Sequence, residues 1–360
     1  MLSGNKGEWS EVYVLLRLLA NGKIYAADSE LQIINDIYFP IIKIIREEII
    51  GETKEYWTGD SIRIFINNKE VEVINKVEFD KEAKILLKEI IRSRGSAFTI
   101  EKTQDFMDKI RCYRLSASTI DKSDITMKIV DVNTGYSPTV GFSIKSELGS
   151  SPTLLNAGRT TNFIYKIIHN YSNLLKETNE IYRVSGGRNH TDVRRRIEKI
   201  TQVKGKLEFY KMQNQTFNDN LILIDSSMDK LLAETLLYFY RDGINNCWNM
   251  VEKLKCENPM NYGNVNAYSY KFKKFLSAVA LGMKPATAWD GVDEATGGYI
   301  VVTEEGNVLA YHIYNRNYFE DYLLKNTKYE TASTSRHEFG EVYQQNSEDF
   351  IKLNLQVRFK

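Results

Sequence analysis

The segment Ser123–Ser150, SDITMKIVDVNTGYSPTVGFSIKSELGS, carries the clearest indication of how this chain folds. Two runs of largely alternating apolar residues, 125–132 and 139–146, flank a short polar link. The link contains Gly135, which accepts the positive φ of a tight turn, and Pro138, which ends the loop before the second run. The pattern predicts a β-hairpin.

The register of this hairpin determines which side chains meet across it. A turn centred near Gly135 places Asp124 opposite Lys145 or a near neighbour, and Asp131 near Val140 towards the far end. Side chains alternate along a strand, so residues two apart face the same side. Asp124 and Lys145 are therefore expected to converge from the two paired strands.

A carboxylate and an ammonium that converge in this way suit the hydrolysis of a phosphodiester. Asp124 offers the hard oxygen ligand that Mg²⁺ prefers, and the metal polarises the phosphoryl group and helps to generate hydroxide. Lys145 can orient the attacking water and stabilise charge that grows on the phosphate. This is the layout of the PD-(D/E)xK nuclease site, with Ser143 in the place of the second acid. Asp131 is the alternative to Asp124; otherwise it is a turn residue.

A serine is a poorer metal ligand than a carboxylate, so another acid is expected to complete the metal shell. Glu147 is one candidate, because it lies on the same strand face as Ser143 and Lys145. Glu11 is the other, in a KGxxxE pattern that opens the first helix and resembles the helix-borne glutamate of Holliday-junction resolvases and several restriction enzymes. Glu8, one turn earlier, is instead typical of an acid favoured by the helix dipole.

The composition indicates a folded protein of one large domain or two. Of 360 residues, 42% are hydrophobic and 12% aromatic, with only 5 prolines, which argues against low-complexity disorder. No apolar window is long enough for a membrane span, and the N-terminus MLSGNKGEWSE lacks the apolar region of a secretory signal. Three scattered cysteines form neither a CxxC pair nor a disulfide framework, which fits a reducing cytosol. We expect a cytoplasmic protein of a bacterium.

The charges are segregated along the chain, although 48 Lys and Arg against 47 Asp and Glu give a net charge of only +1. Acids outnumber bases over 28–60, and bases outnumber acids over 183–211. The basic stretch begins at Gly186-Gly187, has an N-cap candidate in Thr191, and continues as a short helix that contains Arg194, Arg195 and Arg196. Such a helix either lies along DNA phosphates or is a solvated surface.

The remaining pattern predicts an α/β fold, with a mixed β-sheet core flanked by helices and a C-terminal α+β elaboration. We expect a nuclease core at 1–210, with the catalytic hairpin at 124–147, and an α+β region at 211–360 that contributes to DNA recognition within the same domain or a second one. Periodicity predicts a β-hairpin at 61–77, strands at 221–225, 298–303, 308–314 and 351–359, and a short helix or strand at 41–50. It predicts helices at 8–20, 81–94, 102–112, 230–241, 245–255 and 270–282, and a long helix within 153–175.

Candidate DNA-reading residues follow the lysine strand directly. The segment 152–163 brings small polar groups, a glycine and an arginine to the start of a predicted helix, where phosphates bind readily. Arg159 can instead read guanine through O6 and N7. The candidates are Asn156, Arg159, Thr160, Thr161, Asn162, Arg188, Arg194, Arg195, Arg336 and His337. For each cation the alternative is an ordinary surface ion pair.

Three long blocks add a family resemblance to these residues. They are GNKGEWSEVYVLLRLL near the N-terminus, VGFSIKSELGSSPTLLNAGRTTNFIYKI in the middle, and the C-terminal run that includes GGYIVVTEEGNVLAYHIYNR, FEDYLLKNTKYETASTSRHEFG and IKLNLQVRF. Together they span nearly the whole chain, and they resemble the HpaII family of type II restriction endonucleases. The resemblance implies a restriction-endonuclease-like fold and Mg²⁺-dependent cleavage of double-stranded DNA at CCGG that leaves 5′ overhangs.

The resemblance also implies partners. A cognate DNA methyltransferase would share the recognition site without necessarily binding the enzyme, and a palindromic site favours a homodimer, although some enzymes of this kind act as monomers. Two other functions stay open. One is a sequence-specific DNA-binding protein whose nuclease site has decayed at Ser143, and the other is a structure-specific nuclease of the resolvase kind.

Overall fold

A computed structural model describes residues 2–117, 123–132, 135–185, 188–312 and 316–360. Its strands are numbered in chain order: β1 (Ser3–Gly4), β2 (Lys23–Ala27), β3 (Ile33–Ile49), β4 (Glu52–Trp57), β5 (Ser61–Ile66), β6 (Lys69–Asn75), β7 (Phe98–Thr99), β8 (Ile125–Ile129), β9 (Thr139–Ser146), β10 (Thr153–Leu155), β11 (Asn162–Ile168), β12 (Tyr182–Ser185), β13 (Arg188–Thr191), β14 (Lys206–Met212), β15 (Gly298–Val302), β16 (Val308–His312), β17 (Thr327–Tyr329), β18 (Val342–Gln345), β19 (Glu348–Asn354) and β20 (Val357–Phe359).

The helices lie between these strands: α1 (Lys6–Asn21), α2 (Lys76–Arg92), α3 (Gln104–Lys109), α4 (Leu174–Asn179), α5 (Val193–Gln202), α6 (Gln215–Ile224), α7 (Met228–Tyr240), α8 (Cys247–Glu257), α9 (Asn266–Leu281), α10 (Arg316–Asn326) and α11 (Thr334–His337). Two 3₁₀ turns are added at Glu101–Thr103 and Arg159–Thr161. Among the described residues, no helix is long and apolar enough to cross a membrane.

The chain divides into two compact units, each made of two separate stretches of sequence. Unit 1 contains Met1–Pro152 and Asp293–Tyr322, and unit 2 contains Thr153–Val292 and Leu323–Lys360. Neither division point lies near residue 210, where β14 runs without a break. The proposed limits of the functional regions, 1–210 and 211–360, therefore stay a prediction.

Unit 1 is built on a nine-stranded mixed sheet with the order β2-β16-β15-β9-β8-β3-β4-β5-β6. The pairs β15–β9 and β16–β2 are parallel, and the other neighbouring pairs are antiparallel. The strand that carries Ser143 and Lys145 therefore lies inside the sheet, with partners on both edges. The predicted mixed sheet with flanking helices is confirmed.

Helix α1 packs against this sheet because one of its faces is almost wholly apolar. Trp9, Val12, Leu16 and Leu19 belong to the buried core cluster of unit 1, and α1 contacts both α2 and β9. The helix ends at Gly22, whose φ of 66° is the left-handed conformation that glycine adopts at least cost.

Unit 2 combines smaller sheets with most of the helices. A four-stranded antiparallel sheet has the order β14-β11-β19-β18, a three-stranded sheet the order β10-β20-β17, and β12 and β13 form a hairpin. Helices α4 to α9 and α11 belong to this unit. The α+β character expected for the C-terminal part of the chain is found here.

Several predicted elements are confirmed. The 61–77 hairpin turns at Asn67 and Asn68, both with positive φ, which asparagine tolerates well. The helices expected near 8–20, 81–94, 230–241, 245–255 and 270–282 and the strands near 298–303 and 308–314 are present with shifted ends. The 41–50 run is part of β3, the 102–112 helix is reduced to a 3₁₀ turn and α3, and the C-terminal run is two strands.

Two predicted elements are wrong. The long helix within 153–175 is replaced by β10, a 3₁₀ turn and β11, because β11 is paired along both edges, with β14 and β19. This pairing outweighs the local periodicity. The strand at 221–225 is instead the end of α6, whose N-cap Asn214 accepts a hydrogen bond from the backbone N–H of Phe217 at 2.8 Å. Phe217, Asn220 and Leu221 then form its buried face at helical spacing.

Candidate active site and nucleic-acid interface

The predicted hairpin exists, with a register two residues or more from the expected one. Ile125 pairs with Phe142, so Asp124 lies beside Ser143 and its backbone N–H donates to the Phe142 carbonyl at 2.9 Å. Asp124 was expected opposite Lys145 or a near neighbour, and it lies beside Ser143, two residues before Lys145 on the same strand. Residues 133–134 of the link lie outside the described residues.

Asp131 belongs to this turn. Its backbone N–H donates to the carbonyl of Tyr136 at 2.9 Å, and its own carbonyl accepts from Gly135 at 2.8 Å. The expected position near Val140 is wrong, and the interpretation of Asp131 as a turn residue fits these bonds.

The carboxylate of Asp124 is fixed by the neighbouring strand. Ser143 Oγ donates to Asp124 Oδ2 at 3.0 Å, and the backbone N–H of Ile144 donates to the same oxygen at 2.6 Å. The segment before Asp124 lies directly on β9, since a Cβ added at Gly141 would be 2.6 Å from the Ser123 Cβ. Ser143, at the position of the usual second acid, thus holds Asp124 through its hydroxyl.

Lys145 lies two residues further along β9 and on the same side as Ser143. Its ammonium is 5.4 Å from the ring centroid of Tyr299, which the parallel β15 brings opposite Ser143. Burial lowers the pKa of Lys145, while the charges of Asp124 and Glu11 act in the opposite direction. The ammonium is therefore half-buried and close to two carboxylates.

Helix α1 brings Glu11 to this site. A capping box at its start pairs the Asn5 side chain with the Glu8 backbone at 3.1 Å and the Glu8 carboxylate with the Asn5 backbone at 2.8 Å. Ser10 Oγ donates to Ser146 Oγ at 2.8 Å, and Lys6 Nζ donates to a carbonyl in the segment after β9 at 2.9 Å. Glu8 therefore caps the helix, and the first turns of α1 are attached to the lysine strand.

Glu11 and Asp124 are close enough to repel each other. Burial raises the pKa of Glu11 to about 7, and the charge of Asp124 adds to this rise. The hydrogen bond from Ser116 Oγ to Glu11 Oε1, at 2.9 Å, and the charge of Arg46 lower it. Two carboxylates held together in this way are stabilised by a cation between or beside them.

Glu147 lies among other groups. Burial is the main cause that raises the pKa of Glu147, and the charges of Glu304 and Glu305 raise it further. The structure thus brings together Glu11, Asp124, Ser143 and Lys145, whereas Glu147 faces a different acidic pair.

The two convergent carboxylates fit a magnesium ion. Within the described ranges, no group of three or more His, Cys, Asp or Glu side chains is arranged to hold a metal. Mg²⁺ needs fewer protein ligands, because it commonly binds through one or two carboxylates and completes its shell with water and substrate phosphates. Glu11 and Asp124 supply hard oxygen donors of this kind, and each accepts its hydrogen bonds in the described residues through only one of its oxygens.

In unit 2, the fold joins two of the predicted DNA-reading segments. Asn162 Nδ2 donates to the carbonyl of His337 at 2.9 Å, and Asn354 Nδ2 donates to the Gly158 carbonyl at 2.7 Å and to Asn162 Oδ1 at 2.7 Å. Thr161 and Asn162 are fully buried. Their side chains therefore support the backbone of the segment and are not at its surface.

The exposed members of these segments lie beside the buried ones. Arg159 keeps 62% of its side chain exposed and pairs with Glu338 at 2.5 Å. Asn156 and Arg336 are exposed, and Thr160 and His337 partly so. The short α11 begins at Ser333, whose hydroxyl accepts from the backbone of Arg336 at 3.4 Å.

The predicted basic helix is confirmed as α5, although its N-cap is Asp192 and not Thr191. Arg194 and Arg195 keep 57% and 69% of their side chains exposed. Arg196 is fully buried instead, and its guanidinium donates to backbone carbonyls of unit 2, including that of Gly340 at 2.8 Å. The interpretation of Arg196 as a phosphate contact is therefore wrong, because only the outer arginines of the run reach the surface.

Helix α5 and the run 331–335, which leads into α11, border one cavity of about 550 Å³ in unit 2. Arg183, Thr191, Arg194, Tyr240 and the run 331–335 are among the residues that line it. Arg188 is the first residue of β13. Gly186-Gly187, where the basic stretch was expected to begin, lies outside the described residues. Sequence reasoning placed Arg183 in the same basic stretch as α5 but did not link the run 331–335 to it, because that run lies more than 100 residues further along the chain.

Three groups of the unit 1 site were also missed. Ser116, Arg46 and Tyr299 approach Glu11 or Lys145 from elements distant in sequence. Each has an ordinary residue type in an ordinary local pattern, so no local signal marks it. Pairing of β15 with β9 would have been needed to find Tyr299.

Comparison with known proteins indicates the same kind of enzyme. The model of the HpaII restriction endonuclease family matches residues 5–359. A type II restriction enzyme HpaII from Haemophilus parainfluenzae is 44% identical over 362 residues, which cover 99% of this chain and 98% of that protein. No solved structure matches the chain. The chain therefore belongs to the HpaII restriction endonuclease family.

Proposed function

We propose that this protein cleaves double-stranded DNA at CCGG, with Mg²⁺ and 5′ overhangs, through Glu11, Asp124, Ser143 and Lys145. Its family makes it a type II restriction endonuclease, a site-specific deoxyribonuclease. The convergence of Glu11, Asp124 and Lys145 in unit 1 carries the catalytic part of the proposal. The resemblance of the three long sequence blocks to the family supports CCGG as the site.

Glu11 and Asp124 are the proposed metal ligands. Bound there, Mg²⁺ would polarise the scissile phosphoryl group and lower the pKa of a coordinated water. Ser143 and the Ile144 backbone keep the Asp124 carboxylate in one orientation, so that its second oxygen faces away from the strand partner. Ser143 serves as a positioning group for Asp124, which explains how the site works without a second acid at that position.

Lys145 contributes hydrogen bonds and positive charge. Its ammonium is held by burial near two carboxylates, at a point where β9 has sheet partners on both sides. From Nζ it donates to the attacking water or to a non-bridging phosphate oxygen, and its charge stabilises the negative charge that grows in the transition state. Such preorganised charges act most strongly in a site that excludes water.

The exposed cations of unit 2 are the proposed DNA contacts. Arg159, Arg194, Arg195 and Arg336 present donors at the surface that suit phosphates or guanine edges. Asn156, Thr160 and His337 contribute polar groups beside them, and Arg188 is kept as a candidate by its place in the basic stretch. Thr161 and Asn162 support this surface from inside the fold.

The palindromic CCGG site has one scissile bond on each strand, so a two-fold dimer with one active site per strand is the proposed working form. The same sequence in host DNA would be protected by a cognate methyltransferase. Sedimentation of the protein with and without a CCGG duplex measures the assembly. A complex of one chain per duplex that still cuts both strands would contradict the dimer.

Cleavage assays on Lys145→Ala test the catalytic proposal. We expect the wild type to cut CCGG-bearing DNA with Mg²⁺ and to leave it intact with EDTA. Lys145→Ala should abolish cleavage and keep the affinity for a CCGG duplex in Ca²⁺, because the change removes transition-state charge stabilisation and no proposed DNA contact. Lys102→Ala, in which a surface ion pair with Glu89 is lost, is the matched control with full activity.

Each remaining outcome of this assay has a defined meaning. Specific cutting that survives Lys145→Ala would overturn the proposed site. Binding of CCGG without any Mg²⁺-dependent product in the wild type would favour a DNA-binding protein with a decayed nuclease site. Cutting of four-way junctions without regard to sequence would favour a structure-specific nuclease.

A further inference from the structure

A buried row of alternating charges lies behind the candidate active site in unit 1. Arg46 and Glu48 of β3 and Lys54 of β4 are 4%, 1% and 0% exposed. Arg46 Nε is 2.8 Å from Glu48 Oε1, and Lys54 Nζ is 2.7 Å from Glu48 Oε2. Buried ion pairs add little net stability, because the cost of desolvation opposes their attraction. The role of these three side chains is therefore better indicated by their other hydrogen bonds.

These remaining bonds converge on one short segment of backbone, residues 111–115. Each of the three charged side chains makes at least one of these bonds. Along the segment, a bond from Lys54 is followed by a bond to Glu48 and then by two bonds from Arg46. The bonds are Lys54 Nζ to the Arg111 carbonyl at 2.6 Å, the Tyr113 N–H to Glu48 Oε2 at 2.9 Å, and Arg46 Nη2 to the Arg114 carbonyl at 2.6 Å and to the Leu115 carbonyl at 2.9 Å.

The segment held in this way ends one residue before Ser116. The Ser116 hydroxyl donates to Glu11 Oε1 at 2.9 Å, across 105 residues of sequence. Arg46 also acts directly, since its charge favours the ionised carboxylate of Glu11. Two routes, one through backbone and hydroxyl and one through charge, thus lead from Arg46 to the same carboxylate.

We propose that Arg46 and Ser116 are positioning residues for Glu11: Arg46 fixes the backbone at Arg114 and Leu115, and Ser116 then holds the Glu11 carboxylate in the orientation in which it would bind a metal. The inference rests on the proposed role of Glu11 as a metal ligand. Side chains that orient a metal ligand typically change metal affinity or activity by roughly 10-fold to 100-fold when they are removed.

Ser116 allows the first test, because removal of a partly exposed hydroxyl leaves the fold intact. We expect Ser116→Ala to reduce the single-turnover cleavage rate by roughly 10-fold to 100-fold and to raise the Mg²⁺ concentration needed for the thermal shift of the protein without DNA. Affinity for a CCGG duplex in Ca²⁺ should stay unchanged. Ser116→Thr, which keeps the hydroxyl, should restore both values, and Ser93→Ala, whose hydroxyl bonds its own helix, is the matched control.

Arg46 is tested through a double-mutant cycle. If Arg46 acts through Ser116, the double variant Arg46→Lys/Ser116→Ala should lose no more activity than the worse single variant. Losses that multiply, or wild-type rate and Mg²⁺ response in Ser116→Ala, would overturn the inference. If Arg46→Lys does not fold, the cleavage rates and Mg²⁺ responses of the Ser116 variants alone test the inference.

Failure of the proposed function would look different. In that case Glu11→Ala and Asp124→Ala would retain specific cleavage. If both abolish cleavage while the Ser116 variants behave as wild type, only the positioning inference falls.

Discussion

At the scale of single residues, the site keeps two carboxylates in mutual repulsion. Burial and the charge of Asp124 raise the pKa of Glu11 to about 7, while Ser116 and Arg46 reduce the rise. The arrangement costs stability in the metal-free protein, and such strain is usual where binding is the purpose of the site. If the proposed metal ligands are right, binding of a cation relieves this repulsion.

The Glu11→Gln variant should therefore be more stable than the wild type at pH 8 without metal. Below its ordinary pKa of 4.5, Glu11 is neutral in both states. As the pH rises towards about 7 the unfolded chain ionises first, so folding stability is lost over this window and the loss is complete above it. One pKa unit corresponds to about 1.4 kcal/mol, so the rise from 4.5 to about 7 puts the gain on the order of 3 kcal/mol at pH 8.

Thermal melting at pH 5 and pH 8 checks this expectation. The gain in Tm should be present at pH 8, small at pH 5, and reversed in saturating Mg²⁺, where only the wild type has both ligands. Glu70→Gln, which removes a carboxylate from an exposed pair with Arg63, is the control. An equal Tm difference at both pH values would show that the pKa of Glu11 is not raised in the folded protein.

Residue identities allowed part of the site to be predicted. Asp124 and Lys145 were predicted from the hairpin that pairs their strands, and Glu11 was predicted from its KGxxxE pattern on the first helix. The charges of these three groups act on one another in the structure. Ser116 and Tyr299 were not found, since a serine in a loop and a tyrosine in a strand carry no chemical signal until tertiary pairing places them.

At the scale of elements, α5 shows how one basic run serves two purposes. Its outer arginines, Arg194 and Arg195, are exposed, and Arg196 on the inner face donates to backbone carbonyls of unit 2. Helical periodicity separates these roles, because residues next to each other in sequence point about 100° apart. The charge count alone gives no such separation.

The two faces of α5 should respond differently to substitution. Arg194→Ala and Arg195→Ala should weaken binding to CCGG and to unrelated duplexes by the same factor and reduce the salt dependence of binding, with little change in Tm. Arg196→Ala should lower the Tm, because it leaves buried carbonyls without donors. Binding at several salt concentrations, together with melting curves, measures both effects.

Two results would contradict the roles proposed for the two faces of α5. Unchanged affinity in Arg194→Ala/Arg195→Ala would make the outer face a solvated surface and remove it from the DNA interface. An unchanged Tm in Arg196→Ala would contradict the structural role of the inner arginine.

Local sequence predicted the elements that are stabilised locally. The first helix with its cap and the hairpin at Asn67-Asn68 follow from local signals. β11 was mistaken for helix because its strand character depends on β14 and β19, which pair with it from distant stretches. The register of β8 and β9 was mistaken because the turn is closed by backbone bonds at Asp131 that leave no sequence pattern.

At the scale of the whole molecule, the chain leaves unit 1 after Pro152, forms part of unit 2 over Thr153–Val292, and then returns to unit 1. The stretch Asp293–Tyr322 supplies β15 and β16, and β15 lies in parallel beside β9. A boundary placed by composition near residue 210 cannot anticipate this return. The net charge of +1 is likewise a sum over carboxylates of unit 1 and exposed arginines of unit 2, and it predicts weak non-specific binding with reliance on specific contacts.

The most direct test of the catalytic account is a structure of the full protein with an uncleaved CCGG duplex and Ca²⁺. We predict a cation bound by carboxylate oxygens of Glu11 and Asp124, and Lys145 Nζ within hydrogen-bond distance of the scissile phosphate or of the water beside it. A cation held at Glu147 with Glu304 or Glu305, or a scissile phosphate far from Lys145, would contradict the account.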